Sequence, residues 1–165
     1  MANIKESNKL EFHPTPDALI NDMFDILKEN YKGEITEYLE TSAGSGAIIK
    51  HFDKPYIAFE IDERFEREDI KICNYLKEKI EYKEGRVAMI NPPFSSGLKH
   101  LYKALEDADY CVAIMSANSL LNIQYDKIWL DHISFYKRYP FKDCNVSIII
   151  VGARKKTELD KYEFE

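Results

Sequence analysis

Short strand-like runs that alternate with helical patterns are the feature that most limits what this chain can fold into. Most of these runs are continuously apolar over the length of one strand, and they span Ile35–Glu40, Tyr56–Glu60, Asp69–Cys73, Arg86–Ile90 and Tyr110–Met115. A strand that is apolar throughout, without alternation, is typical of a parallel sheet covered by helices on both faces. The sequence therefore predicts an α/β fold.

Helical spacing of apolar side chains marks the segments between these runs. Residues Pro16–Leu27 show it most clearly, with Thr15 as the expected N-cap and Pro16 at the first helical position. Further helices are predicted over Ala47–Phe52, Leu98–Glu106 and Ile123–His132.

The last two predicted strands are Ile133–Tyr139 and Asn145–Val151, joined by a turn at residues 140–143. Since this connection has no room for a crossover helix, the two strands must be antiparallel. The expected architecture is a doubly wound, mostly parallel, Rossmann-like sheet with an antiparallel hairpin at one edge.

The 165 residues correspond to one domain, with residues 1–11 and 157–165 expected to be flexible. No apolar run approaches the ~18 residues of a membrane span, and Met1–Glu6 has no apolar signal core. The three cysteines are far apart and form no Cys-x-x-Cys pair, which indicates reduced thiols and no metal site. We expect a cytoplasmic protein that does not bind membranes.

Charge is unevenly spread along the chain, whose net charge is −6. Residues 1–119 carry 15 basic and 22 acidic side chains, or −7, whereas residues 120–165 carry 8 and 7, or +1. The second part contains a candidate nucleic-acid-binding cluster, formed by Lys137, Arg138, Lys142 and Arg154. An ordinary solvated lysine and arginine surface explains the same residues.

Ligands of doubly wound sheets bind at the carboxyl ends of the strands, so the residues that follow each run deserve inspection. The first run leads into the glycine turn Ser42–Gly46, whose free amides favour an anion or a close ligand. An ordinary tight turn is the alternative. The nicotinamide dinucleotide fingerprint is incomplete, because Ile49 occupies its third glycine position.

Polar side chains also follow the second and third runs. Glu60 ends the second run, where an acid commonly accepts hydrogen bonds from ribose hydroxyls, although a solvated acid is the alternative. Asn74 and Tyr75 follow the third run, and the amide side chain is suited to an adenine edge.

The fourth run leads directly into Asn91-Pro92-Pro93-Phe94. Two consecutive prolines exclude a helix and stiffen an extended backbone at the strand end. The segment thereby presents an amide oxygen, a carbonyl and an aromatic ring in a fixed arrangement. A purely structural turn leaves this combination unexplained.

Taken in order, these segments resemble the amino-methyltransferases of the class I S-adenosylmethionine-dependent family, especially phage- and plasmid-borne DNA N6-adenine methyltransferases. Leu39–Ala47 looks like that family's cofactor loop, with Thr41 in place of a proline, and Asn91–Phe94 fits its catalytic tetrapeptide unchanged. Phe59–Asp62 is similar to the ribose-binding segment. Cys73–Leu76 is similar to the adenine-binding segment, with Asn74 in place of an aspartate. Phe12–Pro16 resembles the segment that closes over the cofactor.

The resemblance implies S-adenosylmethionine as cofactor and a set of residues that bind it: Thr15, Pro16, Glu40, Thr41, Ser42, Ala43, Gly44, Gly46, Glu60, Ile61, Asn74, Tyr75 and Asn91. It implies catalysis by Asn91, Pro92, Pro93 and Phe94, with the first two accepting the hydrogens of an amine and Phe94 stacking on a flipped base. His13 lies in Phe12–Pro16 and His100 in Ser95–Leu101, which also looks like the phage subgroup of this family, so both are candidates for lining the cleft.

A target-recognition region, usual in DNA methyltransferases, is not recognisable in this sequence. Sequence specificity would then come from short loops, a second copy of the chain or a partner protein, or would be nearly absent. Two other functions stay open: methylation of RNA bases or protein glutamine, and a catalytically silent, cofactor-binding subunit of a larger complex. DNA adenine is the favoured acceptor.

Overall fold

The computed structural model describes residues 14–136 and 146–162. The predictions for residues 1–11 and for His13, Lys137, Arg138 and Lys142 therefore lie outside the described residues. So do those for the turn at 140–143, for Cys144 and for the end of the chain from residue 163 onward.

A seven-stranded sheet with the order β3-β2-β1-β4-β5-β7-β6 forms the centre of the described chain. Its strands are β1 Glu37–Glu40, β2 Tyr56–Glu60, β3 Lys71–Ile72, β4 Arg86–Ile90, β5 Tyr110–Ser116, β6 Ile128–Phe135 and β7 Ile148–Lys155. Strands β1 to β5 are parallel, and β7 runs antiparallel to both of its neighbours, β5 and β6. The predicted fold class is confirmed, with the reversed strand lying one place inside the edge.

Two α-helices cover opposite faces of this sheet, α1 at Asp17–Asn30 and α2 at Gly97–Asp107. Single-turn or short 3-10 helices occupy Ile49–His51, Glu63–Phe65, Tyr75–Lys77, Phe94–Ser96, Ala117–Asn122 and Leu159–Tyr162. Among the described residues, neither α-helix is long and apolar enough to cross a membrane.

Alternate residues of the central strands bury themselves under different helices. Val87 and Met89 of β4 pack in one cluster with Ile20 of α1, whereas Ala88 and Ile90 pack in another with α2. Side chains of a strand alternate between its two faces, so a strand that is apolar throughout needs cover on both faces. The continuous runs in the sequence are explained by this arrangement.

Helix α1 begins one residue later than predicted. Pro16 takes the N-cap position, and its carbonyl oxygen accepts hydrogen bonds from the Leu19 and Ile20 amides at 3.0 and 3.2 Å. Thr15 is therefore not the N-cap, and its hydroxyl is available for the long-range contact with Asn91 described below.

The predicted helix over Ile123–His132 is wrong. Residues Ala117–Asn122 form a 3-10 helix instead, and β6 begins at Ile128. A register shift between Leu130 and His132 interrupts the alternation of side chains in β6, so the sequence lacks a clean strand pattern there. The long ladder with β7 decides the structure. The closing strands therefore lie at Ile128–Phe135 and Ile148–Lys155, and the predicted ranges of 133–139 and 145–151 are wrong in their bounds.

The predicted helix over Ala47–Phe52 shortens to the 3-10 turn Ile49–His51. Gly46 has a φ of 85°, which a right-handed helix does not accept, so the chain is still turning where the helix was expected.

Met89 provides a test of this packing, because it is fully buried between the sheet and α1. We expect Met89→Ala to lower the free energy of unfolding by about 2–5 kcal/mol, since a cavity replaces the side chain. Urea denaturation followed by circular dichroism measures this change. Leu159→Ala is the control, because Leu159 is 80% exposed, and it should change stability by less than about 0.5 kcal/mol. Equal losses in the two variants would contradict the described core.

Candidate active site

A cavity of about 310 Å³ opens at the carboxyl ends of β1 to β4. Most of the residues predicted from the sequence for cofactor binding or catalysis line it, namely Thr15, Glu40, Thr41, Ser42, Ala43, Gly44, Glu60, Ile61, Asn74, Tyr75, Asn91, Pro92 and Pro93. Parallel strands bring these residues together because all of their carboxyl ends meet at one edge of the sheet. We call this space the main cavity.

The glycine turn after β1 is tied to the end of β2. The Gly44 amide donates to Glu60 Oε2 at 2.6 Å, and the Ala43 amide donates to the Phe59 carbonyl at 2.8 Å. Gly44 itself has a φ of 52°, in the left-handed region. The turn therefore lies against the second strand end and forms one wall of the main cavity.

Gly46 does not line the main cavity, in contrast to its predicted role as a cofactor contact. Its φ is 85°, and a Cβ at this position would lie 2.2 Å from the Arg67 guanidinium. That guanidinium donates to the Ser45 carbonyl at 3.3 Å. The glycine is required by the backbone conformation and by the close approach of Arg67.

Two buried glutamates, Glu40 and Glu60, end the neighbouring strands β1 and β2 next to this turn. Glu60 accepts the Gly44 amide and, at 2.9 Å, the Asp62 amide. Glu40 is 1% exposed and accepts the Ser42 amide at 2.9 Å. Burial raises the pKa of Glu40 to about 8, and the nearby charge of Glu60 acts in the same direction. The main cavity thus contains a carboxyl group, that of Glu40, that is readily protonated.

The ends of β2 and β3 supply an apolar side chain and an amide. Ile61 is 47% exposed, which is unusual for an isoleucine, and lines the main cavity. Asn74 Oδ1 accepts the Leu76 amide at 3.1 Å and so caps the short helix that starts at Tyr75. These residues can hold the face and the edge of a planar ring.

Asn91 is oriented by Thr15, which lies 76 positions earlier in the sequence. Its Nδ2 donates to Thr15 Oγ1 at 2.9 Å. Because the amide nitrogen is engaged on one side, the position of Oδ1 is set by the same contact. Pro92 is buried directly behind it, and Pro93 leads into the 3-10 helix Phe94–Ser96.

Phe94 lines a second, more open cavity of about 350 Å³ instead of the main one. Ser95 and Ser96 line both, so the two spaces meet at this point. The second cavity is otherwise lined by Gly97, Leu98, Lys99, Ser116, Asn118, Ser119 and Asn122. The Asn91–Phe94 segment therefore lies between two adjoining cavities.

Two further sequence-predicted residues are not brought to the main cavity. Pro16 does not line it. Arg154 lies near the carboxyl end of β7, which the antiparallel pairing places at the opposite edge of the sheet. Its guanidinium forms two 2.8 Å hydrogen bonds with the Asp160 carboxylate and lies 5.6 Å from the Trp129 ring. This geometry separates Arg154 from the Asn91–Phe94 segment.

Several residues of the main cavity had no sequence signal. Phe65 lines it through tertiary placement alone, and Pro14 and Leu76 line it as members of segments that the resemblance had indicated without naming these two residues as contacts. His100 also lines it, and its matching segment was the only indication. Within the described ranges 14–136 and 146–162, no group of three or more His, Cys, Asp or Glu side chains could hold a metal ion.

No protein-family model matches this sequence, and neither does the sequence of any curated protein. Solved structures do match it in shape. A candidate RNA methyltransferase from Pyrococcus horikoshii superposes with a TM-score of 0.66 at 17% identity, covering 90% of this chain and 89% of that one. The 23S rRNA methyltransferase ErmE superposes with a TM-score of 0.63 at 15% identity, covering 93% of this chain and 76% of ErmE.

A methyltransferase subunit of a type I restriction-modification system from Streptococcus thermophilus gives a TM-score of 0.65 at 10% identity, covering 90% of this chain and 46% of that subunit. The chain has the class I methyltransferase fold. At these identities the likeness concerns the fold, and the function has to be argued from the residues of the main cavity.

Glu40 predicts a pH dependence of stability. Because its pKa is raised from 4.5 to about 8 in the folded chain, the folded state holds a proton that the unfolded state has lost between these pH values. The free energy of unfolding should therefore fall as pH rises through this window, by up to about 1.4 kcal/mol per pH unit from this group.

Glu40→Gln carries no titrating carboxyl, so its stability relative to the wild type should increase steadily between pH 4.5 and about 8. Urea denaturation at several pH values measures the difference. A difference that does not vary with pH would show that Glu40 is ionised in the folded state.

Proposed function

We propose that this chain transfers a methyl group from S-adenosylmethionine to an exocyclic amino nitrogen, with N6 of adenine in DNA as the favoured acceptor. The observation that carries the proposal is the position of Asn91 and Pro92, which line the same cavity as the glycine turn and Glu60. A methyl donor held by the turn and an amine held by Asn91 would then lie next to each other.

The residues of the main cavity suit this cofactor in shape and in charge. A volume of about 310 Å³ is at the lower end of the range for ligand sites. Glu60 carries a carboxylate at the strand end where ribose hydroxyls bind in such sheets, and exposed Ile61 beside it offers an apolar face for adenine. Glu60 and Asp62 make the walls acidic, which favours a ligand with cationic groups, whereas Glu40 contributes a carboxyl group that burial keeps protonated.

The bound cofactor supplies an electrophilic methyl group on a sulfonium. The acceptor amine is a weak nucleophile, because its lone pair is delocalised into the aromatic ring. Asn91 Oδ1 and the Pro92 carbonyl oxygen would accept hydrogen bonds from its two N–H groups, which redirects the lone pair toward the methyl group. The nitrogen–carbon bond would form as the carbon–sulfur bond breaks, S-adenosylhomocysteine would leave, and the methylated nitrogen would lose one proton to solvent. The hydrogen bond from Asn91 Nδ2 to Thr15 Oγ1 holds Asn91 Oδ1 in place before the substrate binds.

No residue of the chain needs to form a covalent bond in this reaction. Cys73 lines the main cavity, but burial raises the pKa of its thiol, which disfavours the nucleophilic thiolate. Catalysis therefore consists of positioning and electrostatics.

The second cavity supports a nucleobase as acceptor. It adjoins the main cavity at Ser95 and Ser96, has the Phe94 ring in its wall, and is otherwise rich in hydroxyl and amide groups. A base taken out of a nucleic acid strand needs such a combination, an aromatic surface for its face and hydrogen-bonding groups for its edge.

Adenine in RNA is the second candidate acceptor. The structural neighbour from Pyrococcus horikoshii is a candidate RNA methyltransferase, and ErmE is a 23S rRNA methyltransferase. The geometry around Asn91 serves an amine of either nucleic acid equally well.

Asn91→Ala tests the catalytic role. We expect it to abolish turnover while S-adenosylhomocysteine still binds within roughly tenfold of the wild-type affinity, because the lost oxygen contacts the amine and not the bulk of the cofactor. Calorimetry and methyl transfer from labelled cofactor measure the two quantities.

Asn30→Ala is the matched control, since that side chain caps the end of α1 through the Ile26 carbonyl, outside both cavities. It should keep turnover and binding. Parallel losses of binding and turnover in Asn91→Ala would contradict the assigned role.

The acceptor class is tested by offering DNA, RNA and a protein extract to the enzyme with methyl-labelled cofactor. We expect label in DNA, recovered as N6-methyladenine by mass spectrometry of nucleosides. Label confined to RNA would select the second candidate, and label confined to protein would contradict a nucleobase acceptor.

A further inference from the structure

His100 is a buried imidazole in the wall of the main cavity that the methyl-transfer chemistry does not use. It lies on α2, is 6% exposed, and lines the main cavity. Its Nδ1 lies 2.8 Å from Thr41 Oγ1, and its ring stacks on Tyr75 with 5.9 Å between the ring centroids and 30° between the planes. Contacts on two sides fix the orientation of the ring.

The second ring nitrogen of His100, Nε2, has no hydrogen-bond partner among residues 14–136 and 146–162. In the described residues, two side-chain polar atoms are fully buried without a hydrogen-bond partner, one on His51 and one on Tyr110. His100 Nε2 is not among them. A polar atom in a residue that is 94% buried, at the wall of a cavity, is positioned to bond a ligand.

The imidazole is neutral at physiological pH. Burial lowers the pKa of His100 to about 4, and the cation of Lys103 contributes in the same direction. A neutral imidazole has one nitrogen that donates and one that accepts. If Nδ1 donates to Thr41 Oγ1, Nε2 is an acceptor.

The position of His100 shows which part of a ligand it meets. In the sheet order β3-β2-β1-β4, Asn91 follows β4, whereas Ile61 and Asn74 follow β2 and β3. A cofactor with its methyl group at Asn91 therefore extends its adenosine toward β2 and β3. His100 contacts Thr41, after β1, and Tyr75, after β3. Since β2 lies between these two strands, His100 lies beneath the part of the main cavity that the adenosine would occupy.

We propose that His100 Nε2 accepts a hydrogen bond from the 6-amino group of the cofactor's adenine, with Thr41 Oγ1 holding the ring in the Nδ1–H tautomer. This inference rests on the proposed function, since it presupposes S-adenosylmethionine in the main cavity. It makes the Thr41–His100 pair a determinant of cofactor specificity.

The neighbouring Asn74 explains why a second acceptor is useful. Its Oδ1 already accepts the Leu76 amide at 3.1 Å, and the side chain carries no negative charge. An adenine amine has two hydrogens, so a further neutral acceptor on the other side of the ring edge would complete its hydrogen bonds.

The test compares two product analogues by calorimetry, S-adenosylhomocysteine and S-inosylhomocysteine, which carries an oxygen in place of the 6-amino group. The wild type should bind the adenosyl compound at least tenfold more tightly. His100→Phe keeps the ring and its burial but lacks Nε2. It should lose about tenfold in affinity for the adenosyl compound and almost none for the inosyl compound.

His132→Phe is the matched control, because His132 lies on β6, outside the main cavity, and it should preserve the preference. If His100→Phe lost affinity equally for the two compounds, its preference for the adenosyl compound would be unchanged. That result would overturn the assignment of the hydrogen bond to His100 without touching the proposed function. Failure of the wild type to bind either compound would overturn the proposed function as well.

A second measurement needs no substitution in the site. In a long-range ¹H–¹⁵N spectrum of the wild type, His100 should show the Nδ1–H tautomer, and its Nε2 resonance should shift with the adenosyl compound and not with the inosyl one. The Nε2–H tautomer, or identical shifts with the two ligands, would contradict the proposal even if His100→Phe fails to fold.

Discussion

The hydrogen bond from the Gly44 amide to Glu60 Oε2 is the contact on which the rest of the main cavity depends. It joins the turn after β1 to the end of β2, and the same carboxylate also accepts the Asp62 amide. A carboxylate buried to this degree is stable only with such charge-assisted bonds. Two loops are thereby fixed at one strand edge, and exposed Ile61 between them is held at the cavity wall.

Electrostatics then select the kind of ligand that such a cavity accepts. Glu60 and Asp62 line it, which disfavours the phosphates of a nucleotide and favours cationic groups. Opposite them, Asn91 and the prolines offer uncharged oxygen atoms in a stiff segment. In the proposed function, this combination would separate a positively charged donor from a neutral amine acceptor while keeping the two adjacent. Such a division of roles fits group transfer better than hydride transfer to a dinucleotide.

The sequence was sufficient for the parallel part of the sheet and for most of the cavity, because both follow from local patterns. Continuous apolar runs mark β2 and β4, and parallel strands place whatever follows them at one edge. Features that depend on distant partners were not predictable. The register shift near Leu130 interrupts the alternating pattern of β6. Thr15 bonds to Asn91 and does not cap α1. Arg154 pairs with Asp160 at the opposite edge of the sheet. The Thr41–His100 pair spans 59 positions and leaves no trace in either local motif.

The most direct test of the central claim is a crystal structure of the protein in complex with S-adenosylhomocysteine. The account predicts the ribose hydroxyls on the Glu60 carboxylate, adenine against Ile61 and Asn74, and the sulfur facing the Asn91 side chain across a gap that one methyl group can bridge. A ligand that lies with its adenine at Asn91, or that binds outside the main cavity, would contradict it.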